Sequence, residues 1–335
     1  MRHNRRDFLQ ISGAGAATLM ARELIPAGRH TSVVKGGSAA AWQSLSLYAA
    51  SAGQGTQKPA AKPLRLGLIV ASGKDPDGAI KKVHDLGLPT AQVILDVLDD
   101  AAVKQLQAAL QRYNVEVTSV VVSGPGPEIY DFYQGPLTIG LVPRKYRSAR
   151  IARLKKGSEF AKKLGIPAVQ THCGFIPENP NDPVYKDTIK AVHEVANYCR
   201  KSGQNFRYET GQETPLTLLR AIEDVGLDNQ GINFDCANFI LYDKANPADA
   251  LELLGPHVQG IHAKDGLYPT DPRCLGKEVP IGQGRVDFPR IIRHLKELNY
   301  PGAITIEREI SGPEQLEDVR AEKTYLEKLI NQPRA

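Results

Sequence analysis

The sequence predicts an α/β fold, a (β/α)8 TIM barrel, across residues 64–330. Short apolar runs bounded by turn residues alternate about eight times with stretches of helical spacing, a pattern typical of parallel strands and their connecting helices. The span of about 270 residues matches the usual barrel size of roughly 250. No G-x-G-x-x-G motif follows the first strand, so the rival architecture, a doubly wound open sheet, is less favoured.

The first half of this region alternates strand and helix, and its strands are runs of apolar and β-branched residues. Residues 123–143 interrupt the pattern with glycine, proline and aromatic residues, and a loop of this length inside a compact domain is usually functional. In order, the predicted elements are strand 64–71, helix 79–86, strand 90–95, helix 101–113, strand 115–122, helix 148–164 and strand 168–171.

The second half continues the alternation, with wide loops at residues 175–180 and 266–285. In order, the predicted elements are helix 187–201, strand 205–209, helix 215–223, strand 232–235, helix 248–253, strand 258–262, helix 288–298, strand 303–307 and helix 313–329. These strands complete the eight that a closed parallel barrel requires.

Residues 1–63 are interpreted as an export signal followed by a disordered linker. Paired arginines at positions 5 and 6 precede a Phe-Leu pair and then a weakly apolar stretch rich in Gly and Ala, which is the order of features in a twin-arginine signal. The alternative is a basic tail with a chance Arg-Arg pair. The signal predicts recognition by the twin-arginine export machinery and a periplasmic or extracellular location.

The charge distribution argues against a nucleic-acid partner. The chain carries 42 Lys and Arg against 37 Asp and Glu, a formal net charge of +5. Residues 1–62 hold eight of the basic residues and two of the acidic ones. The predicted barrel is therefore close to neutral and lacks a basic footprint for a phosphate backbone. No segment reaches the roughly 18 apolar residues that span a bilayer, so no stable membrane span is predicted.

The four cysteines are predicted to be free thiols. They have no C-x-x-C spacing and fit no zinc motif, and one of them directly follows the end of a buried strand. Their positions are Cys173, Cys199, Cys236 and Cys274.

Four strands of the second half end in residues able to bind a metal ion. These residues are Glu209, Asp235, His262 and Glu307. Because the carboxyl ends of barrel strands converge on one mouth, their side chains are expected to meet there. Two glutamates, one aspartate and one histidine make an oxygen-rich ligand set. Such a set favours one divalent ion, Mn²⁺ or Mg²⁺, with Co²⁺ or Zn²⁺ as alternatives.

A structural role is the alternative for each of the four: a surface carboxylate, a helix N-cap, a hydrogen-bonded core histidine, and an ion pair with Arg308. Neighbouring strand residues point to opposite faces, which disfavours that ion pair for Glu307. Glu213 is an alternative to Glu209 as the ligand, but it falls in a turn. Glu309 is expected to support Glu307 from the same face.

Four further polar residues are expected near the mouth and are candidates for substrate binding. His172 ends the fourth strand and is placed to hydrogen-bond a sugar hydroxyl. Asn238 lies three residues beyond the metal-binding aspartate, and Lys264 lies two beyond the metal-binding histidine. Arg144 follows the aromatic insertion and is expected to close over the site.

The four strand ends together resemble the xylose-isomerase-like barrel superfamily, most closely its sugar phosphate isomerase/epimerase branch. The resemblance covers roughly residues 64–330 and is carried by Tyr208-Glu209-Thr210, Asn233-Phe234-Asp235, Ile261-His262-Ala263-Lys264-Asp265 and Ile306-Glu307-Arg308-Glu309. It implies a TIM barrel with one divalent metal. In ketose 3-epimerases of this family the two metal-bound glutamates are the acid/base pair. By position, Glu209 and Glu307 would have that role here.

The sequence departs from the ketose 3-epimerases at two positions. Those enzymes carry a substrate-binding histidine where this chain has Asn238, and an arginine shortly after the metal-binding histidine, where the nearest cation is Lys264. The AP endonucleases of the same superfamily need more histidine ligands and a basic groove, and neither feature is visible in this sequence.

We therefore expect a metal-dependent sugar isomerase or epimerase that works through an enediolate. One alternative is a lyase or dehydratase that acts on a keto-sugar, a 3-keto-glycoside or an inosose with the same site. The other is a non-catalytic sugar-binding barrel, which would not introduce solvent deuterium into the sugar. The sequence leaves open the substrate and the oligomeric state, including a homo-oligomer.

Overall fold

The computed structural model of the protein describes residues 63–333. The predicted export signal and all but the last residue of the predicted linker lie outside the described residues. The fold of residues 63–333 is therefore that of the predicted barrel region.

Parallel strands close into a barrel, as the sequence predicts. Within residues 63–333 the strands are β1 (Arg65–Ala71), β2 (Thr90–Ile94), β3 (Glu116–Val121), β4 (Ala168–His172), β5 (Asn205–Glu209), β6 (Gln230–Asp235), β7 (Val258–Ala263), β8 (Asp265–Leu267), β9 (Lys277–Val279) and β10 (Ala303–Ile306). Strands β8 and β9 pair only with each other, and the other eight form the closed barrel in the order β1-β10-β7-β6-β5-β4-β3-β2. Sequential strands are neighbours, which is the topology of a (β/α)8 barrel.

Helices connect the barrel strands and cover their outer face. In the described residues they are α1 (Pro76–Asp85), α2 (Asp100–Tyr113), α3 (Gly135–Thr138), α4 (Arg144–Lys163), α5 (Pro183–Lys201), α6 (Pro215–Val225), α7 (Asn238–Leu241), α8 (Pro247–Leu254), α9 (Phe288–Glu297) and α10 (Pro313–Ile330). A 3₁₀ turn at Gly255–His257 follows α8.

Several helices begin with a capping side chain followed by proline. The carboxylate of Asp182 accepts a hydrogen bond from Val184 N at 2.7 Å, and the amide oxygen of Asn246 accepts one from Ala248 N at 2.9 Å. A cap followed by proline satisfies or removes N–H groups that would otherwise lack partners in the first turn. The apolar periodicity begins after the cap. The helix predicted at residues 187–201 therefore starts later than α5, which begins at Pro183.

The strands alternate between an apolar outer face and a polar inner face. Phe206, Phe234 and Ile306 are fully buried in the apolar core that includes the side chains of the surrounding helices. The intervening positions, such as Glu209 and Asp235, point towards the barrel axis. This alternation aims the polar residues at strand ends into the mouth of the barrel.

Four short elements were not predicted from the sequence. Strands β8 and β9 form an antiparallel ribbon inside the predicted loop, with Asp265 opposite Val279. Helix α3 lies within the insertion at residues 123–143, and helix α7 follows β6. Each element has only three or four residues, which is too short to show a strand or helix period.

The four cysteines are free thiols, as predicted, with Cys274 exposed and the other three buried. Among the helices of residues 63–333, none combines the length and the hydropathy needed to cross a membrane.

Candidate metal centre

Four side chains from consecutive positions around the barrel converge at its mouth. Glu209, Asp235 and His262 lie at the ends of β5, β6 and β7, and Glu307 directly follows β10. One potential ligand atom from each lies within 4.8 Å of all the others, and all four residues are buried. The structure thus brings together the residues that the sequence predicted as metal ligands.

The distances centre on the Nδ1 atom of His262. This atom lies 2.9 Å from Glu307 Oε2, 3.1 Å from Glu209 Oε1 and 3.5 Å from Asp235 Oδ2. The strand register produces this arrangement because Asp235 pairs directly with His262. Glu307 N also donates a hydrogen bond to the carbonyl of Ala263 at 2.9 Å.

A polar network beneath the cluster orients the imidazole of His262. Its Nε2 lies 2.7 Å from Gln92 Oε1, an oxygen that can only accept hydrogen bonds. Nε2 therefore carries a proton and donates it to Gln92, and Nδ1 faces the carboxylates. Gln170 Nε2 donates to the same Gln92 oxygen at 2.7 Å, and Gln92 Nε2 donates to Asn233 Oδ1 at 2.8 Å. Histidines that bind metals in proteins usually donate the other ring N–H in a hydrogen bond of this kind.

Asp235 is oriented by its own local contacts. Its Oδ1 accepts a hydrogen bond from Asn238 N at 2.8 Å, and its backbone N donates to Thr210 Oγ1 at 2.9 Å. The second carboxylate oxygen, Oδ2, is left to face the cluster. Asp235 Oδ1 thus bonds the first N–H group of the short helix α7, but the N-cap residue of that helix is Ala237 and not Asp235.

Three buried atoms of the cluster have no hydrogen-bond partner in the part of the chain that the structure describes: Asp235 Oδ2, His262 Nδ1 and Glu307 Oε2. Buried polar atoms without partners are costly. Burial also raises the pKa of Asp235 to about 7, although Lys264 and His262 oppose that shift. A divalent cation among these atoms would satisfy all three and stabilise the carboxylate charges, so the residues fit a metal ion.

His172 and Lys264 lie beside the cluster, as predicted. His172 Nε2 is 3.7 Å from Glu209 Oε1, and its Nδ1 lies 3.2 Å from the side-chain nitrogen of Gln212. Lys264 is buried, with Nζ 3.5 Å from Glu307 Oε2 and 2.8 Å from Glu309 Oε1. Glu309 therefore supports the site through Lys264.

Asn238 also lies beside the cluster, but its side chain is engaged by the protein. Its Nδ2 donates to the carbonyl of Thr210 at 3.1 Å, and its Oδ1 lies 3.4 Å from Lys264 Nζ. Contact between Asn238 and a substrate hydroxyl stays a prediction. The geometry indicates that the residue orients Asp235 and Lys264.

Arg144 is not brought to the cluster. It forms an exposed ion pair with Asp187, in which Nη2 and Oδ2 are 2.6 Å apart. None of the contacts described for residues 63–333 joins Arg144 to the four candidate ligands. The expectation that it closes over the site lacks support in this geometry, because the carboxylate at the start of α5 holds the guanidinium.

The structure does not support two alternatives raised by the sequence: Glu213 as the ligand in place of Glu209, and an ion pair between Glu307 and Arg308. Glu213 is buried outside the four-residue cluster, and burial raises its pKa to about 8. Arg308 pairs with Glu278 and Asp318, at 3.0 Å and 2.8 Å, instead of with Glu307. Glu307 is thus left for the metal centre, as strand alternation predicts.

Gln92, Gln170, Asn233 and Tyr130 were not predicted as site residues. A polar residue in the middle of an apolar strand was the available signal for Gln92 and Gln170. Tyr130 lies in the aromatic insertion, and its ring centroid is 6.0 Å from that of His172.

Asp265 lies outside the four-residue cluster and holds the Gly-rich loop in place. Its carboxylate accepts hydrogen bonds from the backbone N–H groups of Gly266, Gly282, Gly284 and Val286, at 2.8–3.0 Å. A Cβ built on Gly284 would lie 2.0 Å from the carboxylate, so only glycine fits there. Asp265 therefore fixes the Gly-rich loop at the rim of the mouth.

Comparison with known proteins agrees with the barrel fold. A family model described as a xylose isomerase-like TIM barrel matches residues 80–329. A xylose isomerase domain protein from Planctomyces limnophilus is 32% identical, with a TM-score of 0.76; the alignment covers 80% of this chain and 98% of that one.

Two more distant structures share the fold. A D-psicose 3-epimerase solved in the presence of D-fructose is 16% identical, with a TM-score of 0.61, covering 80% of this chain and all of that one. A xylose isomerase-like barrel protein from Mycobacterium smegmatis in complex with magnesium is 20% identical, with a TM-score of 0.60; coverage is 82% and 98%.

Proposed function

Because the chain belongs to the xylose isomerase-like TIM barrel family, we propose that it is a divalent-metal-dependent sugar isomerase or epimerase. The observation that carries the proposal is the cluster of Glu209, Asp235, His262 and Glu307, whose ligand atoms lie within 4.8 Å of one another. Three of those atoms are buried and make no hydrogen bond within residues 63–333. The sugar epimerase among the structures of the same fold supports this reaction class.

In this proposal the two glutamates act as an acid/base pair. Glu209 stands at the end of β5 and Glu307 follows β10, with β6 and β7 between them in the barrel. Their carboxylates therefore approach the centre from different sides. One removes a proton from the carbon next to the substrate carbonyl, and the other returns a proton from its own side. A divalent ion bound here supplies the Lewis acid that polarises the carbonyl.

Lys264 and His172 complete the chemistry around the substrate. The ammonium of Lys264 lies 3.5 Å from Glu307 and 3.8 Å from Asp235, so its positive charge offsets part of the carboxylate charge. It is placed to donate a hydrogen bond to a substrate oxygen. His172 lies beyond Glu209 and is placed to bind a hydroxyl on the neighbouring carbon.

The ligand set favours Mn²⁺ or Mg²⁺ as the bound ion. Three carboxylates and one imidazole offer mainly hard oxygen ligands. The magnesium complex of a structure with the same fold supports this choice. Co²⁺ and Zn²⁺ also bind mixed nitrogen and oxygen ligands and are the alternatives.

The proposal is tested by incubating the Mn²⁺-loaded protein with a panel of keto-sugars in heavy water. An isomerase or epimerase incorporates deuterium next to the carbonyl and forms an isomer. A lyase or dehydratase gives a product lighter by water or an aglycone. Complete absence of deuterium incorporation, with the metal shown to be bound, would contradict the acid/base proposal.

A further inference from the structure

The insertion at residues 123–143 is held in place by three arginines of helix α4. Spaced three residues apart, they lie along one side of the helix. Their side chains donate hydrogen bonds of 2.6–3.2 Å to backbone carbonyls of the insertion. The bonds run from Arg147 to Leu141 and Val142, from Arg150 to Pro125, Pro127 and Gly140, and from Arg153 to Ser123. The insertion is therefore a fixed wall of the mouth.

The wall also packs against the loop that follows His172. Leu141 N donates to the carbonyl of Cys173 at 2.8 Å. A Cβ built on Gly140 would lie 2.2 Å from the backbone carbon of Cys173, and Gly140 has a φ of +69°, so glycine is required at this contact. These contacts hold the insertion in a fixed position relative to His172, the residue that precedes Cys173.

Hydrogen bonds of the residues directly before and after Tyr130 fix its position. Ile129 N donates to Thr138 Oγ1 at 3.0 Å, and the carboxylate of Asp131 accepts a bond from Tyr133 N at 2.8 Å. Both flanking residues are thereby tied to the segment around helix α3. The ring of Tyr130 lies against the imidazole of His172, with an interplanar angle of 68°.

Half of Tyr130 is nevertheless exposed, at 50%. Large exposed aromatic surface next to a buried polar cluster is a feature of ligand pockets, in which flat apolar groups bind one part of the ligand and polar groups another. Phe132, Phe175 and Tyr242 pack together in a separate apolar cluster and extend the aromatic character of this region.

The mouth therefore has an aromatic side and a polar side. The polar side is formed by Lys264 and the metal-binding carboxylates. A sugar in ring form has a flat C–H face and a polar edge of oxygens, which match these two sides. An open-chain ketose has no flat face to place on Tyr130.

We propose that Tyr130 is the ring-stacking residue of this site and selects a cyclic keto-sugar, a pyranoside with a carbonyl on the ring, over an open-chain ketose. Arg150 is the positioning residue that holds the insertion carrying Tyr130. The inference rests on the proposed function, since it assigns the substrate class of the same metal centre.

The test measures the affinity of the full-length, Mn²⁺-loaded protein for methyl 3-keto-glucopyranoside by calorimetry. Tyr130→Ala is expected to weaken binding by about tenfold, which corresponds to about 1.4 kcal/mol. Tyr130→Phe restores the affinity, because the ring and not the hydroxyl makes the contact. Tyr133→Ala is the matched control: Tyr133 is exposed in the same insertion, has no described ring contact with the site, and should leave binding unchanged.

Arg150→Met is expected to weaken glycoside binding. Adding Tyr130→Ala to this variant should lower the affinity by much less than a further tenfold, because both changes remove the same contact. The Mn²⁺ affinity of each variant should equal that of the wild type. Equal glycoside affinity in wild type and Tyr130→Ala, or no glycoside binding by the wild type, overturns the inference.

Deuterium exchange on the same glycoside separates this inference from the proposed function. Binding that depends on Tyr130 without any exchange supports the stacking role and contradicts the acid/base chemistry. Exchange with unaltered affinity in Tyr130→Ala supports the chemistry and overturns the stacking role.

Discussion

His262 Nε2 lies 2.7 Å from Gln92 Oε1, although the two residues are 170 positions apart in the sequence. The contact crosses the barrel interior from β2 to β7. It fixes the tautomer that presents Nδ1 to the three carboxylates, and it connects the metal centre to the polar network beneath it. The geometry of the centre therefore depends on a residue that is not itself a ligand.

Gln92→Leu is expected to weaken Mn²⁺ binding by about 10- to 100-fold, the usual effect of losing an outer-shell partner of a metal-binding histidine. The measurement is calorimetric titration of the metal-free protein. Gln204→Leu is the matched control, because Gln204 is also buried but hydrogen-bonds Ser158 and Ile166, away from the centre. Equal metal affinities in the two variants would remove the role assigned to Gln92.

Glu307→Gln is expected to lower the rate of deuterium incorporation by at least about 10²-fold, since the amide cannot accept the proton. The fold should be retained, as judged by circular dichroism. Glu252→Gln, which changes a surface glutamate paired with Arg290, serves as the control and should keep the wild-type rate. A wild-type exchange rate in Glu307→Gln would exclude that carboxylate as acid or base.

Asp235→Asn is expected to stabilise the metal-free protein and to abolish its stabilisation by metal. The substitution removes a buried carboxyl whose pKa is raised to about 7 by burial. It also removes a candidate metal ligand. The free energy of unfolding of the wild type should rise by about 2.7 kcal/mol at a Mn²⁺ concentration 100 times the dissociation constant. Thermal unfolding with and without Mn²⁺ tests both parts, and a variant that still gains stability from Mn²⁺ contradicts the ligand assignment.

Glu322 is expected to make stability depend on pH. Burial raises the pKa of this carboxyl to about 7, and its Oε1 accepts a hydrogen bond from Ile281 N at 3.1 Å. The folded protein thus binds the proton more tightly than the unfolded chain. The stabilisation is complete below the ordinary pKa of 4.5 and is lost as the pH rises through 7.

Glu322→Gln should therefore be more stable than wild type at pH 8, and the difference should shrink or reverse at pH 5. Urea unfolding at the two pH values provides the comparison. A pH-independent difference between the two proteins would show that the carboxyl does not titrate in this range.

Replacing the arginines at positions 5 and 6 by lysine is expected to abolish export of the full chain, because twin-arginine recognition requires the arginine pair. Cell fractionation with an antibody to the protein measures the effect. Replacement of Arg22 and Arg29 by lysine is the control for basic charge alone. Undiminished export of the paired variant would remove the signal assignment.

The barrel and the cluster of four candidate ligands were predictable because both follow from patterns within single strands. Glu209, Asp235 and His262 each end an apolar run, and parallel strand ends converge in a closed barrel. The support of His262 was not predictable, because Gln92 and Gln170 are distant in sequence and show only as polar interruptions of a strand. Arg144 was predicted to close over the site from its place in the chain, but Asp187, a residue of another helix, decides where its guanidinium lies.

The most direct test of the metal centre is anomalous diffraction from crystals of the protein grown with Mn²⁺. We predict one strong anomalous peak bounded by Glu209, Asp235, Glu307 and the Nδ1 atom of His262, at ligand distances of about 2.0–2.3 Å. A manganese peak elsewhere, with these four side chains directed away from a common point, would contradict the account.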